Sequence, residues 1–306
     1  MLKKIIYFLL LLLLLILGWM LWYFKMDVPV EKLKAKYAPP PSKFLALNGM
    51  QVHYRDEGQG MPLVLVHGTG ASLHTWQPWT EGLTGSFRVI RMDMPAFGLT
   101  GPDPKANYTI QAYVAFLDQF LTQLQIDSCY IAGNSLGGNI AWHYAVAFPQ
   151  KVKKLILIDA AGYPSAKPAP LPFRMARTPG VNLISRYVTP RFFFLNNLKN
   201  VYADHGRINE ALVDRYYELM LREGNRQAFI DRAKTPFDDD SHLVKSIKCP
   251  TLILWGKEDS WIPVSFGEQF HKDIAQSQLV VYPHAGHIPM EEIPTETLKD
   301  ALQFLK

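Results

Sequence analysis

Residues Ile131–Asn139 read IAGNSLGGN, one serine inside a cluster of glycines. The flanks decide how the stretch is read. Before it, "CYIAG" (Cys129–Gly133) is a short apolar run with β character. After it, "LGGNIAWHYAVAF" (Leu136–Phe148) has the composition of a helix. A G-x-S-x-G sequence between a strand and a helix is a nucleophile elbow. The turn is so tight that the residues two before and two after the serine lie against neighbouring backbone, where only very small side chains fit. Ser135 is thereby pushed toward a strained conformation with its hydroxyl exposed. The helix opening at Leu136 aims free N–H groups and its positive dipole end at the same place. A structural glycine turn is the bland alternative, and the strand–turn–helix context argues against it.

Working outward, the runs "LVLVHG", "FRVIRMD", "KLILID", "TLILWG" and "LVVYP" are continuous apolar segments closed by turns, as strands covered on both faces should be. Helix-like segments alternate with them. Thr109–Gln125 carries Ile110, Val114, Leu117, Leu121 and Leu124 at helical spacing, and Thr295–Phe304 closes the chain. "FLALNGMQVHYRDEG" reads as two strands about an Asn48-Gly49 turn. The pattern predicts an α/β protein with a mostly parallel, doubly wound sheet and right-handed crossovers. From about Tyr163 to Lys245 no central strand is visible. That region predicts a helical cap over the crevice at the strand ends. Expected boundaries are a membrane anchor at 1–25, a linker at 26–43, a core at 44–162 and 246–306, and the cap at 163–245.

The anchor is the unbroken apolar run Ile5–Phe24, flanked by Lys3, Lys4 and Lys25. At about 1.5 Å per residue it spans a hydrocarbon layer of about 30 Å. It ends in Trp19, Trp22, Tyr23 and Phe24, where a cleaved signal would offer small residues. Lys3 and Lys4 favour a cytoplasmic N-terminus; Lys25, Lys32, Lys34 and Lys36 on the other flank oppose it. The linker "VPVEKLKAKYAPPPSK" is charged, then proline-rich, and is expected to be extended and poorly packed.

Composition narrows the function. Of 306 residues, 48% are hydrophobic and 19% charged, which suits a folded domain. The net charge of +5 includes the lysines beside the anchor, and no basic cluster interleaved with aromatics suggests a nucleic-acid partner. Two cysteines, Cys129 and Cys249, open apolar strands and read as packing residues, too few for a disulfide framework. No motif implies a cofactor, and His284 and His287 lack the further ligands of a metal site.

A serine nucleophile needs a histidine base held by a carboxylate, and in the fold that carries a nucleophile elbow the expected chain order is serine, acid, histidine. "WGKEDSWIP" offers Glu258 and Asp259; "PHAGHIPMEEIP" offers His284 and His287. Residue chemistry alone leaves both pairs open.

Five motifs carry a resemblance: "LVLVHGTG" with Trp76, "RMDMPAFGLT", the elbow segment, "TLILWGKEDSWIP" and "HAGHIPMEEIP". In this order they resemble the α/β-hydrolase superfamily, over nearly all of Phe44–Lys306 outside the insertion. The resemblance implies the α/β-hydrolase fold and prefers Asp259 and His287 over their neighbours. It implies an oxyanion hole from the backbone N–H groups of Thr69 and Leu136, with His67 shaping that turn. Trp76, Phe192 and Phe193 are the substrate-binding candidates. Ala96 stands where the family usually has glycine, which implies a small local shift. The chain is also similar to membrane-anchored monoacylglycerol-lipase-like enzymes and small bacterial lipases and esterases. Dehalogenases and epoxide hydrolases of this fold use aspartate at the elbow, so Ser135 disfavours both. The expected function is hydrolysis of lipophilic carboxylic esters at a bilayer. The alternatives are cleavage of carbon–carbon bonds in ring-fission products, haloperoxidase-like or acyltransferase activity, and a binding-only receptor.

Overall fold

In the computed structural model, which describes residues 1–306, eight strands form one sheet. They are β1 Lys43–Leu47, β2 Met50–Glu57, β3 Met61–Val66, β4 Phe87–Met92, β5 Cys129–Asn134, β6 Val152–Ile158, β7 Thr251–Gly256 and β8 Ser277–Tyr282. Their order is β1-β2-β4-β3-β5-β6-β7-β8. The first two strands form an antiparallel hairpin, β2 runs antiparallel to β4, and all later neighbours are parallel. The hairpin turns at Asn48 and Gly49, both at positive φ (52° and 78°), as a tight two-residue turn requires.

The period-2 rule of a strand explains how β3 holds the layers together. Val64 and Val66 face one side, where they join Phe116 and Ile140 in the larger core. Leu63 and Leu65 face the other, against Trp79, Ala301 and Leu305. The flanking helices are α1 Leu2–Trp22, α2 Val30–Tyr37, α3 Gln77–Leu83, α4 Ile110–Gln123, α5 Leu136–Ala147, α6 Leu171–Arg177, α7 Val181–Ser185, α8 Arg191–Val201, α9 Glu210–Met220, α10 Asn225–Lys234, α11 Val264–Asp273, α12 Pro289–Glu292 and α13 Pro294–Leu305. Thr109 caps α4 by accepting the Ala112 N–H. Each fully buried leucine or valine of β3 contributes about 1.5–3 kcal/mol.

The chain order reverses beside β3, which lies between β4 and β5. Ligands of open α/β sheets bind at the carboxyl ends of strands at such a switch point. Helices α6–α10 fill the interval between β6 and β7 without a strand, as the composition of that segment implied. Helix α1 is long and apolar enough to cross a membrane, and none of it is buried in the protein.

The linker differs from expectation. Val30–Tyr37 is a helix, and Leu33 and Tyr37, four residues apart, are buried against Leu99 and Leu219. The Tyr37 hydroxyl donates to Glu218 at 2.7 Å. Charge and proline content hid this i, i+4 apolar pair. Residues before it are also ordered. Phe24 bridges to Val188 and Val28 to Arg222, so the segment between α1 and α2 is stitched into the cap on both sides.

Candidate active site

Ser135 follows β5 at φ 55° and ψ −116°, and α5 begins at the next residue. Such a backbone costs about 1–3 kcal/mol for a non-glycine residue and persists only when its surroundings enforce it. Here the Ser135 N–H donates to Ile158 O at 3.1 Å, while its carbonyl accepts from Asn139 and Ala161. The glycines provide clearance. A Cβ on Gly133 would lie 2.1 Å from the Gly137 carbonyl oxygen, and one on Gly137 would lie 2.1 Å from that of Val66.

Because β5, β7 and β8 are parallel, the loops that follow them emerge at one edge. His287 Nδ1 and Asp259 Oδ2 are 2.7 Å apart, with the Asp259 side chain wholly buried. The other Asp259 oxygen accepts the N–H groups of Trp261 (2.8 Å) and Ile262 (3.0 Å). With both its oxygens engaged, the carboxylate fixes a proton on Nδ1 and leaves Nε2 as the acceptor. His287 Nε2 is buried and bonded to no protein group, and His287 and Ser135 line the same cavity. The rivals are elsewhere. Glu258 and His284 are exposed and line a separate surface cleft with Lys199 and His205.

The Leu136 N–H is the first of α5 and has no intrahelical acceptor. Thr69 lines the cavity beside Ser135. His67 is fully buried, and burial lowers its pKa. Its Nδ1 donates to Gly68 O at 2.7 Å and its Nε2 accepts from Met94 N at 3.0 Å. Both ring nitrogens are occupied, so His67 holds the turn that carries Thr69. Ala96 adopts φ 83°, a strained value at which a glycine would be relaxed.

Three residues that sequence reading left without a role complete the arrangement. Asn134 donates to Ile158 O (3.1 Å) and to His287 O (2.9 Å), tying the elbow to the histidine loop. Glu292 accepts from Gly286 N (2.7 Å) and Asp204 N (2.6 Å), clamping that loop to the cap. Asp159, at the end of β6, is fully buried and accepts the Gly256 N–H at 3.0 Å. Its second oxygen has no partner, and its carboxyl lies within 4.8 Å of the Asp259 and His287 polar atoms. Burial first, then the adjacent Asp259 charge, pushes its pKa well above the usual carboxylate range.

The cavity has a volume of about 280 Å³, near the lower end of the range for ligand pockets. Sixteen of its 29 lining residues are hydrophobic. Of the substrate-binding candidates, Phe193 lines it. Trp76 does not: it lies in the turn into α3 and is fully buried against Trp79, in the same core cluster as Leu63 and Leu65 of β3. Phe192 does not either. About 100° round α8 from Phe193, it is 40% exposed and stands edge-on to Tyr23, ring centroids 5.7 Å apart. Phe194 and Phe229 line the cavity in their place.

A strained serine elbow, a buried aspartate–histidine pair and a cap over the switch point define a hydrolase of the α/β type. The chain belongs to the family of the alpha/beta hydrolase fold, which matches residues 61–294. It is 28% identical over 256 residues to the 2-hydroxy-6-oxo-2,4-heptadienoate hydrolase of Pseudomonas putida, covering 80% of this chain and 89% of that protein. Among solved structures it is similar to a membrane phospholipase A described as a bacterial virulence factor. That likeness has a TM-score of 0.76 at 26% identity and covers 99% of this chain and 98% of the other. A thermophilic esterase from Thermogutta terrifontis gives 0.72 at 27%, covering 86% and 96%.

Proposed function

We propose that the protein is a membrane-anchored serine hydrolase of lipophilic carboxylic esters that works through an acyl-enzyme on Ser135. The observation that carries this reading is the strained Ser135 sharing a mostly apolar cavity with the buried His287–Asp259 pair. His287 Nε2 takes the serine proton as Oγ attacks the ester carbonyl. Asp259 stabilises the imidazolium that forms. The N–H groups of Thr69 and Leu136 receive the oxyanion, each contributing about 3–4 kcal/mol to the transition state. His287 then protonates the leaving alcohol, and water repeats the sequence to release the acid. Helix α1 supports a bilayer location, and the likeness to a membrane phospholipase points the same way.

The second reading, hydrolysis of carbon–carbon bonds in ring-fission products, is favoured by the names of several relatives. Those substrates carry a carboxylate. The one arginine or lysine on the cavity, Arg226, already pairs with Asp27 at 2.6 Å and donates to Lys25 O and Thr189 Oγ1. An occupied guanidinium favours an uncharged ligand, hence the ester.

The test is a panel of p-nitrophenyl esters of increasing acyl length beside a monoacylglycerol and a vinylogous diketone. Ester turnover that disappears in Ser135→Ala is the expected result. Turnover of the diketone with none of the esters would replace this reading by the second.

A further inference from the structure

Only Tyr23 separates the last residue of α1, Trp22, from Phe24, which is already paired with Val188 of the cap. Two Cα steps of about 3.8 Å leave less than about 8 Å of slack between the helix and the cap. The strap that follows is held on both sides. Lys25 N donates to Tyr187 O at 2.8 Å, and Val28 N to Leu221 O at 2.7 Å. Asp27 accepts from Gly224 N at 3.0 Å and pairs with the buried Arg226. The Phe24 ring stacks on Tyr187 and the Tyr23 ring meets Phe192. An anchor joined this tightly fixes the cap against whichever leaflet surface α1 leaves.

Tyr187 and Phe192, which meet the strap, belong to cap segments that leave apolar side chains exposed. Leu183 is 69% exposed, Ile184 46% and Tyr187 39%, and Phe192 and Leu171 are exposed too. Exposed apolar clusters of this kind mark interaction surfaces. The same segments form the cavity wall on their inner side: Ser185, Val188 and Thr189 line it, as does Leu171. We infer that this cap face lies on the bilayer into which α1 inserts, so that an ester enters the cavity directly from the lipid past Leu171 and the 183–189 segment. The inference rests on the anchored-esterase reading above, and names the surface and the source of its substrate. The occupant is the lipid bilayer, because the backbone pairing of the strap is continuous with the membrane helix itself. Lys25, exposed beside this face, suits the headgroup layer.

The experiment uses the full chain reconstituted in phosphatidylcholine vesicles. A Leu183→Cys variant carries an environment-sensitive dye, with the unsubstituted protein as the labelling background. Quenching by spin-labelled lipid and shielding from aqueous iodide are expected. Quenching by iodide and none by lipid would overturn the inference. In a second arm, the Leu183→Asp/Ile184→Asp double variant is expected to keep its rate on a short water-soluble ester. On a long-chain ester dissolved in the vesicles it should lose about tenfold or more, the discrimination expected when apolar docking area is removed. Equal rates on both esters, or equal losses, would contradict entry from the lipid. A wild-type protein that turns over no ester would sink the proposed function alone, and the quenching result would still decide the docking.

Discussion

At the scale of single residues, the proposed catalysis depends on side chains whose freedom has been removed. Asp259 spends one oxygen on two backbone N–H groups and the other on His287. Asp259→Asn should therefore lower kcat by about 10³–10⁴-fold through the wrong histidine tautomer, with circular dichroism unchanged. Glu258→Gln, on the exposed side of the same loop, should stay within about twofold, as remote surface changes do; a crippled Glu258→Gln would reverse the assignment. Asp159 adds a prediction with a sign. Its folded-state pKa is raised, so the folded protein holds a proton that the unfolded chain releases above the ordinary aspartate value. Stability from this group is greatest below the unfolded pKa and falls as pH rises above it. Asp159→Asn keeps an acceptor for Gly256 N and cannot titrate, so its Tm advantage over wild type should grow between pH 4 and pH 8. A constant difference across that range would mean that Asp159 is not held protonated. Ser135 stands out in the sequence because the elbow is a local motif, whereas Asp259 and His287 are preferred over Glu258 and His284 only through the family resemblance. Asn134 was not, because its partner His287 is 153 residues away and no spacing encodes that bond.

At the scale of elements, the parallel strands decide what the loops can do, and apolar runs bounded by turns made them readable. Helix α2 was missed because its one apolar pair lies in a lysine-rich run, and its burial depends on Leu99 and Leu219 from distant segments. His74 secures this helix, donating from Nε2 to the Tyr37 carbonyl at 2.8 Å while Nδ1 lies 3.0 Å from Ser72 Oγ. Burial first, then Arg215, pulls its pKa down to about 3 against the upward pull of Asp93. A depressed histidine stabilises the fold above the unfolded value, and that contribution is lost as pH falls from about 6.5 toward about 3. Thermal melts of wild type and His74→Gln should therefore converge between pH 7 and pH 4.5. A gap that stays constant or widens on acidification would contradict this role.

At the scale of the whole molecule, the sheet, the cap and the apolar helix form one continuous device. The elbow and the histidine loop are joined through Asn134, that loop and the cap through Glu292, and the cap and the segment after α1 through Arg226 and Asp27. The core fold was plain in the sequence, since it rests on short-range patterns. It was silent on the cavity wall. Trp76 and Phe192 are as aromatic as Phe193, and only the rotation of α8 and the packing of α3 send them elsewhere. The central claim is that catalysis passes through an acyl group on Ser135. Rapid quenching of a p-nitrophenyl ester reaction, followed by peptide mass spectrometry, tests it most directly. The account predicts one acyl group per chain on the peptide containing Ser135, absent in Ser135→Ala together with turnover. Turnover that persists in Ser135→Ala, or an acyl group found on another residue, would contradict it.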